Sequence, residues 1–457
     1  MKKIKIIEIL FKVTVAYFLY AILCYTYSVT SITPWQDWVR MRWVIDSFTN
    51  WPPSLNDFWR VENGVFKSPF MFVVSYINLN LFRWDHRLEC CFYLIFKVLS
   101  LSFLFSWIRN TLSDKSLINW LFILLIVSMV FSFSQFDNYL LSAGAYSFAV
   151  AAAILLLYTK LCAALVTRKI KHLFSFLIVL FVNTTFISSS YTIPAIIAIP
   201  VAVTYLALAY RNKIGFIKNL PYAFISCLFS ILSLSAYVYM PPIQSQGSII
   251  DNLDFIKIFE YFIALLPGGI FHSGTDSAKL ALASGFIVFL TYTHMLVHGL
   301  AKGTIRIRQT LPVCLIIFSV VNAAVIAVGR FDVGIGSATV GRYTTFQMFG
   351  IIGCMMYWMM NDKKIAHLNK INSIYIKNTI LCIALLGLLF LIGRTARSEL
   401  SIMPYRIKYF DALDKAINSN AISEKEIKLF NADNDSNVVP YINKIKSKSL
   451  GSFLNDE

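Results

Sequence analysis

The sequence predicts an all-α integral membrane protein, and three observations support this fold class. Hydrophobic residues make up 57% of the 457 residues and charged residues only 14%, whereas an average soluble domain has about 45–50% apolar and about 25% charged residues. Mean hydropathy is +0.65, and a soluble chain of this length could not bury so much apolar surface. The apolar residues also form runs of about 20, the length of a helix that spans a bilayer.

About eleven runs are long enough to span a membrane as helices. The first follows Lys2, Lys3 and Lys5 and precedes no clear cleavage site, so we interpret it as an uncleaved membrane helix with a cytoplasmic N-terminus. The segment 68–82 is short and has Pro69 near its start, so it is either a re-entrant or interfacial helix or a twelfth span. The predicted spans are residues 8–29, 90–107, 117–135, 141–161, 173–189, 192–210, 220–240, 279–299, 311–329, 344–361 and 378–394.

The distribution of basic residues predicts the orientation. Lysine and arginine number 41 against 24 acidic residues, a net charge of +17. The excess lies in alternate short loops, for example at Arg109, Arg168–Lys171 and Lys363–Lys377. This pattern is typical of cytoplasmic loops and indicates membrane topology rather than nucleic-acid binding. It places the first loop (31–89) of a membrane domain of residues 1–394, and the C-terminal tail (395–457, either a folded cap or partly disordered), on the side opposite the cytoplasm.

Two segments of the first loop contain acidic residues that are candidates for a functional site. Asp37 lies between Trp35 and Trp38, and a carboxylate at the membrane edge can act as a general base, a helix cap or a paired charge. The segment 56–63 contains Asp57, Arg60, Glu62 and Asn63. In a helix Asp57 and Arg60 would be three residues apart and could pair, so a salt-bridged surface helix is the alternative.

Two further loops on the same side contain polar groups. Gln135 and Asn138 lie at a turn where their amides could bind sugar hydroxyls, or simply form a polar turn. Arg330 and Arg342 flank a glycine-containing loop, against the usual charge distribution for this side, and arginine binds phosphate through two parallel hydrogen bonds. The alternative is an ion pair of Arg330 with Asp332.

Histidines and cysteines indicate no metal site. His272 follows Pro267-Gly268-Gly269 and could line a cleft, whereas His294 and His298 lack an evident third ligand. The eight cysteines show neither zinc-site nor disulfide spacing.

The segments around Asp37, Asp57-Phe58-Trp59, Gln135–Asn138 and Gly341-Arg342-Tyr343-Thr344-Thr345 occur in the order seen in bacterial GT-C-type membrane glycosyltransferases. The chain resembles this group over most of residues 1–361, and its size and composition are similar to the O-antigen-modifying, serotype-converting glucosyltransferases. The resemblance implies a GT-C-like bundle in the bacterial inner membrane. It also implies transfer of a sugar, with inversion, from a polyprenyl-phosphate donor to O-antigen or a related polysaccharide at the periplasmic face.

The resemblance also implies residue roles. Asp37 is the expected base, with Asp57 as the second choice, and Arg342, Arg330 and Tyr343 bind the donor phosphate. The resemblance implies no cofactor and leaves open whether a divalent cation binds the lipid phosphate. The sequence departs from the group at Val61–Gly64, which lacks the usual His and Arg, and at Gln36, where many members have a second acidic residue. The residues expected to orient the acceptor or tune the base are Arg60, Glu62, Asn63, Gln135, Asn138 and His272.

Two rival functions predict different sequence features. An O-antigen polymerase would join lipid-linked oligosaccharides and have a large central periplasmic loop, but segment 241–278 is modest in length. A polysaccharide or lipid transporter would have charged residues deep inside its spans. We interpret nearly all mid-span residues as apolar or as Ser, Thr or Asn, such as Asn183 and Asn322, which favours the glycosyltransferase.

Overall fold

The described parts of the chain are almost entirely helical. The computed structural model describes residues 2–35, 43–49, 53–59, 61–62, 66–111, 117–187, 190–209, 215–239, 253–271, 278–302, 307–360, 371–418 and 438–450. A two-residue antiparallel ladder, β1 (Val61–Glu62) with β2 (Phe66–Lys67), interrupts the helices of the first loop. Short 3₁₀ turns occur at Phe133–Gln135, Ile307–Gln309, Phe331–Val333 and Ile335–Thr339.

The helices of these segments range from 4 to 48 residues in length. In chain order they are α1 (Lys2–Val29), α2 (Trp43–Thr49), α3 (Leu55–Phe58), α4 (Pro69–Phe82), α5 (His86–Tyr93), α6 (Ile95–Thr111), α7 (Leu117–Val130), α8 (Phe136–Leu140), α9 (Ser142–Thr167), α10 (Ile170–Thr185), α11 (Thr192–Ala209), α12 (Gly215–Tyr239), α13 (Phe255–Leu265), α14 (Ala278–Lys302), α15 (Thr310–Arg330), α16 (Gly341–Met359), α17 (Ile371–Asn418) and α18 (Val438–Ser447).

Within the described residues, eight helical stretches are long and apolar enough to cross a membrane. Each coincides with a predicted span, so the chain is an all-α, multi-pass membrane protein. The remaining predicted spans coincide with α10, a shorter apolar helix, and with α16 and α17, which are not among the eight. The total of about eleven therefore stays a prediction. The spans are Lys12–Val29, His86–Arg109, Asn119–Leu140, Ser142–Thr167, Thr192–Ala209, Leu220–Tyr237, Ala278–Ala301 and Thr310–Val333.

Small residues allow the central helices to pack closely. α9 is buried along most of its length and carries the alanine run Ala151–Ala153. A Cβ atom on Gly353 of α16 would lie 2.7 Å from the carbonyl oxygen of Pro312 on α15. Glycine at this position therefore permits the close approach of α15 to α16, as small residues do between membrane helices.

One end of the bundle brings several loops together, and we call it the site end. The segment after α1, the end of α8, the turn before α11 and helix α13 meet there with the turn between α15 and α16. The hydrogen bonds that join these elements run from Trp35 Nε1 to Leu140 O (3.5 Å), from Asn138 Nδ2 to Gly341 O (3.2 Å), from Tyr191 Oη to Arg342 O (3.3 Å) and between Tyr261 Oη and Ser337 Oγ (2.8 Å).

The described part of the C-terminal tail packs against this end. α17 continues without a break beyond residue 394, and Asp414 near its end accepts a hydrogen bond from Ser31 Oγ at 2.9 Å. The Trp35 ring packs edge-on against Phe410 at 5.1 Å. In α18, Tyr441 donates a hydrogen bond to the carbonyl oxygen of Pro34. Residues 395–418 and 438–450 thus form a folded cap over residues 31–35.

Candidate functional site

Arg330 and Arg342 occupy adjacent helix ends. Arg330 is the last residue of α15 and Arg342 is the second residue of α16, with two 3₁₀ turns between them. Both side chains are exposed, and neither forms an ion pair with any residue that the structure describes. The alternative pairing of Arg330 with Asp332 is therefore not observed, and both guanidinium groups are free to bind an anion.

Tyr191, in the turn before α11, and Tyr261, in α13, both interact electrostatically with the two arginines. Tyr191 donates to the carbonyl oxygen of Arg342, and its ring stacks on Phe346 with centroids 3.9 Å apart. Burial raises the pKa of Tyr191, and the charges of Arg342 and Arg330 lower it in part. Burial also raises the pKa of Tyr261 to about 12. Both phenols therefore stay protonated at neutral pH, and both are engaged in hydrogen bonds, Tyr191 with Arg342 O and Tyr261 with Ser337 Oγ.

Tyr343 lies beside Arg342, with its ring centroid 5.9 Å from the guanidinium carbon. This separation is at the outer limit of a cation–π contact. The predicted phosphate-binding set of Arg330, Arg342 and Tyr343 is therefore brought together at one place.

The start of α16 is held by the turn that carries α8. The Gly341 amide donates to Asp137 Oδ2 at 3.1 Å, and a carboxylate is favourable at a helix N-terminus. Asn138 Nδ2 donates to Gly341 O at 3.2 Å and to Thr345 Oγ1 at 2.9 Å. A Cβ on Gly341 would lie 3.1 Å from both Asp137 Oδ2 and Ser134 O, a tight contact that glycine avoids.

Gln135 extends this hydrogen-bond network, which we call the brace, from the start of α16 into the bundle. Its Oε1 accepts from Thr345 Oγ1 at 2.8 Å and from Lys97 Nζ at 3.0 Å, while its Nε2 donates to Met129 O at 3.1 Å. Gln135 and Asn138 are fully buried. In this structure their amide groups position α16 behind Arg342, and they do not face outward as groups that would bind a sugar.

Lys97 is a functional candidate that the sequence interpretation missed. It is buried inside the span His86–Arg109 and is an exception among the mid-span residues, nearly all of which the sequence interpretation took as apolar or Ser, Thr or Asn. Its Nζ donates to Val130 O at 2.6 Å and lies 4.0 Å from the Phe148 ring centroid. Lysine within a span is rare and often functional, and its place in the apolar run 90–107 was the available signal.

A buried ion pair lies close to the arginines. Glu399 is fully buried and receives two hydrogen bonds from Arg406, Nε to Oε1 at 2.5 Å and Nη2 to Oε2 at 3.0 Å. Tyr25 also donates to Glu399, and Arg406 Cζ lies 4.2 Å from the Phe136 ring centroid. Both charged residues lie in the tail, outside the resemblance. In the sequence, only their seven-residue spacing, which places both residues on one helix face, indicated that they could pair.

A second buried carboxylate has a different environment. Glu89 accepts from Ser75 Oγ at 2.8 Å and from Asn78 Nδ2 at 3.1 Å. Nearby, His86 Nε2 accepts from the Ser142 amide at 2.9 Å. These bonds tie α4, α5 and α9 together, which gives Glu89 and His86 a structural role.

The other predicted site residues are less well defined. Asp37, Arg60, Asn63 and His272 lie outside the described residues, and only the backbone of Glu62, in β1, is described. Asp57 Oδ2 accepts from the Ser54 amide at 3.1 Å as part of a capping box at the start of α3. This contact gives Asp57 a local role at the start of α3, with Ser54 as the N-cap residue. Among the described residues, no group of three or more His, Cys, Asp or Glu could hold a metal ion.

The fold and this site define the class of protein: an all-α, multi-pass membrane protein with a cationic site at one end of its helical bundle. Comparison with protein families, with curated proteins and with solved structures finds no match. The functional assignment therefore depends on the chemistry of the site.

Proposed function

We propose that the protein is a GT-C-type glycosyltransferase of the bacterial inner membrane, with a cytoplasmic N-terminus and a periplasmic site end. It would transfer a sugar, glucose by resemblance, from a polyprenyl-phosphate donor to O-antigen or a related surface polysaccharide, with inversion. The observation that supports this proposal is the pair of exposed guanidinium groups, Arg330 and Arg342, without ion-pair partners in the described part of the chain.

The position of these arginines suits a lipid-linked anion. Both lie at ends of bundle helices, where a lipid phosphate at headgroup depth would be within reach while its prenyl chain stays in the bilayer. Arginine forms two parallel hydrogen bonds with phosphate. Preorganised positive charge of this kind stabilises the leaving phosphate as the glycosidic bond breaks. The resemblance implies Asp37 as the base and Asp57 as the second choice.

A transfer assay tests the proposal. Purified protein in detergent receives polyprenyl-phosphate glucose and a lipopolysaccharide acceptor, and mass spectrometry detects an added hexose. We expect Arg342→Ala to lower turnover by about 10²–10³-fold, the usual cost of removing a charge-stabilising donor. The turnover of Arg342→Lys should lie between those of Arg342→Ala and the wild type, because lysine keeps the positive charge but lacks the planar guanidinium that forms two parallel hydrogen bonds. Lys257→Ala is the matched control, since it removes another exposed cation, on α13. Equal activity in Arg342→Ala and Lys257→Ala would contradict the proposed phosphate site.

The same assay distinguishes the proposed glycosyltransferase from an O-antigen polymerase. If hexose transfer is absent and long chains form when lipid-linked oligosaccharide is supplied, the protein is a polymerase and the proposed transfer is wrong.

Transport is a second candidate function because of one observation, the buried Lys97 in mid-span. Its Nζ contacts carbonyl and amide oxygens and ring faces, and among the described residues it has no carboxylate partner. Proteoliposomes containing fluorescent polyprenyl-phosphate sugar test this function. Protein-dependent movement of the lipid between leaflets that is lost in Lys97→Met would favour transport over transfer.

A further inference from the structure

Asp137 is a carboxylate that the structure places beside Arg342. It lies in α8, and its Oδ2 accepts the backbone amide of Gly341, the residue that precedes Arg342. Asp57, by contrast, is engaged in the cap of α3. Among the described carboxylates, Asp137 is thus joined directly to the helix that carries the proposed phosphate-binding arginine.

The two oxygens of Asp137 have different environments. Oδ2 is fixed by the Gly341 amide, which sets the orientation of the carboxylate. Oδ1 makes no hydrogen bond with any residue that the structure describes, and the side chain is partly exposed. A carboxylate with one oxygen anchored and the other accessible is suited to receive a proton in a fixed direction.

Positive charge approaches Asp137 from two elements. Arg342 follows Gly341 on α16, and Arg406 of the tail packs on Phe136, the residue before Asp137. Both guanidinium groups are close enough to interact electrostatically with the carboxylate, as is Glu399. Neither arginine forms an ion pair with Asp137, so its Oδ1 is not occupied by them.

We infer that Asp137 is the catalytic base of the proposed glycosyl transfer, an inference that depends on that proposed function. Asp137 Oδ1 accepts the proton of the acceptor hydroxyl as the hydroxyl oxygen forms its bond to the anomeric carbon of the donor sugar. The bond between that carbon and the phosphate oxygen breaks, and its electron pair leaves with the phosphate. Arg342 offsets the charge that develops on the phosphate.

The substitution Asp137→Asn separates this role from helix capping. An asparagine side-chain oxygen can still accept the Gly341 amide, because asparagine is as good a cap as aspartate. It cannot accept the hydroxyl proton. We therefore expect Asp137→Asn to keep the unfolding temperature and the affinity for polyprenyl phosphate, while kcat falls about 10²–10⁴-fold, the usual contribution of a general base.

The experiment compares Asp37→Asn, Asp57→Asn and Asp137→Asn in the same transfer assay, with thermal unfolding and polyprenyl-phosphate binding measured for each. Loss of kcat in Asp137→Asn alone, with binding and unfolding unchanged, supports the inference. Near wild-type kcat in Asp137→Asn, or loss of polyprenyl-phosphate binding together with kcat, overturns it and leaves Asp137 as a helix cap. A wild-type protein that transfers no sugar refutes the proposed function itself, and this inference with it.

Discussion

Removal of Arg406 should destabilise the protein more than neutralisation of its partner, Glu399. The two residues form a bidentate ion pair that joins two turns of α17, and Tyr25 of α1 donates to the same carboxylate. The pair is asymmetric, because the Glu399 side chain is 0% exposed whereas that of Arg406 is 21% exposed. The informative substitutions are Arg406→Met and Glu399→Gln.

The burial of the residue that is left without its partner decides how much free energy of unfolding each substitution costs. Arg406→Met leaves a fully buried carboxylate without its guanidinium, and breaking a buried pair in this way costs about 3–5 kcal/mol. Glu399→Gln leaves a guanidinium that already reaches solvent and keeps an oxygen that can accept from Tyr25, so about 1–2 kcal/mol is expected. The two variants should therefore differ by about 2 kcal/mol in free energy of unfolding.

The pH dependence of Arg406→Met should also change. Without the arginine, a protonated Glu399 is easier to bury because it carries no charge to desolvate. The folded state then binds a proton more readily than the unfolded state, so stability falls as pH rises. We expect Arg406→Met to be more stable at pH 5 than at pH 8, and Glu399→Gln to show no such difference.

SDS titration in mixed micelles, followed by tryptophan fluorescence at pH 5 and pH 8, measures these free energies. Lys257→Met is the control, because it breaks an exposed ion pair with Asp254 and should cause no measurable loss. Equal destabilisation by Arg406→Met and Glu399→Gln, or greater stability of Arg406→Met at pH 8, would refute the burial argument.

Three further predictions concern the site end. Thr345→Val removes a hydroxyl that bridges two buried amide side chains and should cost about 1–2 kcal/mol, measured by the same titration; an unchanged midpoint would contradict the brace. Gly341→Ala would place a Cβ 3.1 Å from Asp137 Oδ2, so we expect a loss of about tenfold in transfer with normal membrane insertion. Tyr441→Phe removes the hydrogen bond to Pro34 and should speed hydrogen exchange in residues 31–35, measured by mass spectrometry; unchanged exchange would show that the tail does not hold this segment.

The membrane class and most spans could be predicted because they depend on local properties. An apolar run has the same length in the sequence and in the helix that it forms, so the predicted run 311–329 corresponds to the span Thr310–Val333. Arg330 and Arg342 could be found for a similar reason, since a charge at the end of an apolar run is visible without any partner. α16 covers most of the predicted span 344–361 but is not among the eight stretches, and its first turn carries the polar residues Arg342, Thr344 and Thr345.

The roles of the polar residues depend on contacts between distant parts of the chain. Gln135 and Asn138 looked like surface groups of a turn, yet they face inward because α16 packs on that turn. Asp137 became a further base candidate for the same reason, since it contacts Gly341, which is 204 positions away.

Local sequence patterns were thus sufficient for the class of protein, the apolar spans and the two arginines, because hydrophobic length and charge are properties of single segments. The brace from Lys97 to Thr345, the ion pair in the tail and the position of Asp137 beside Arg342 were decided only by the packing of the helices. Tyr25 and Glu399, for example, are separated by 374 positions, and no periodicity within either helix specifies that they meet. Buried polar groups must find partners inside the bundle, and only the tertiary arrangement determines which partners are within reach.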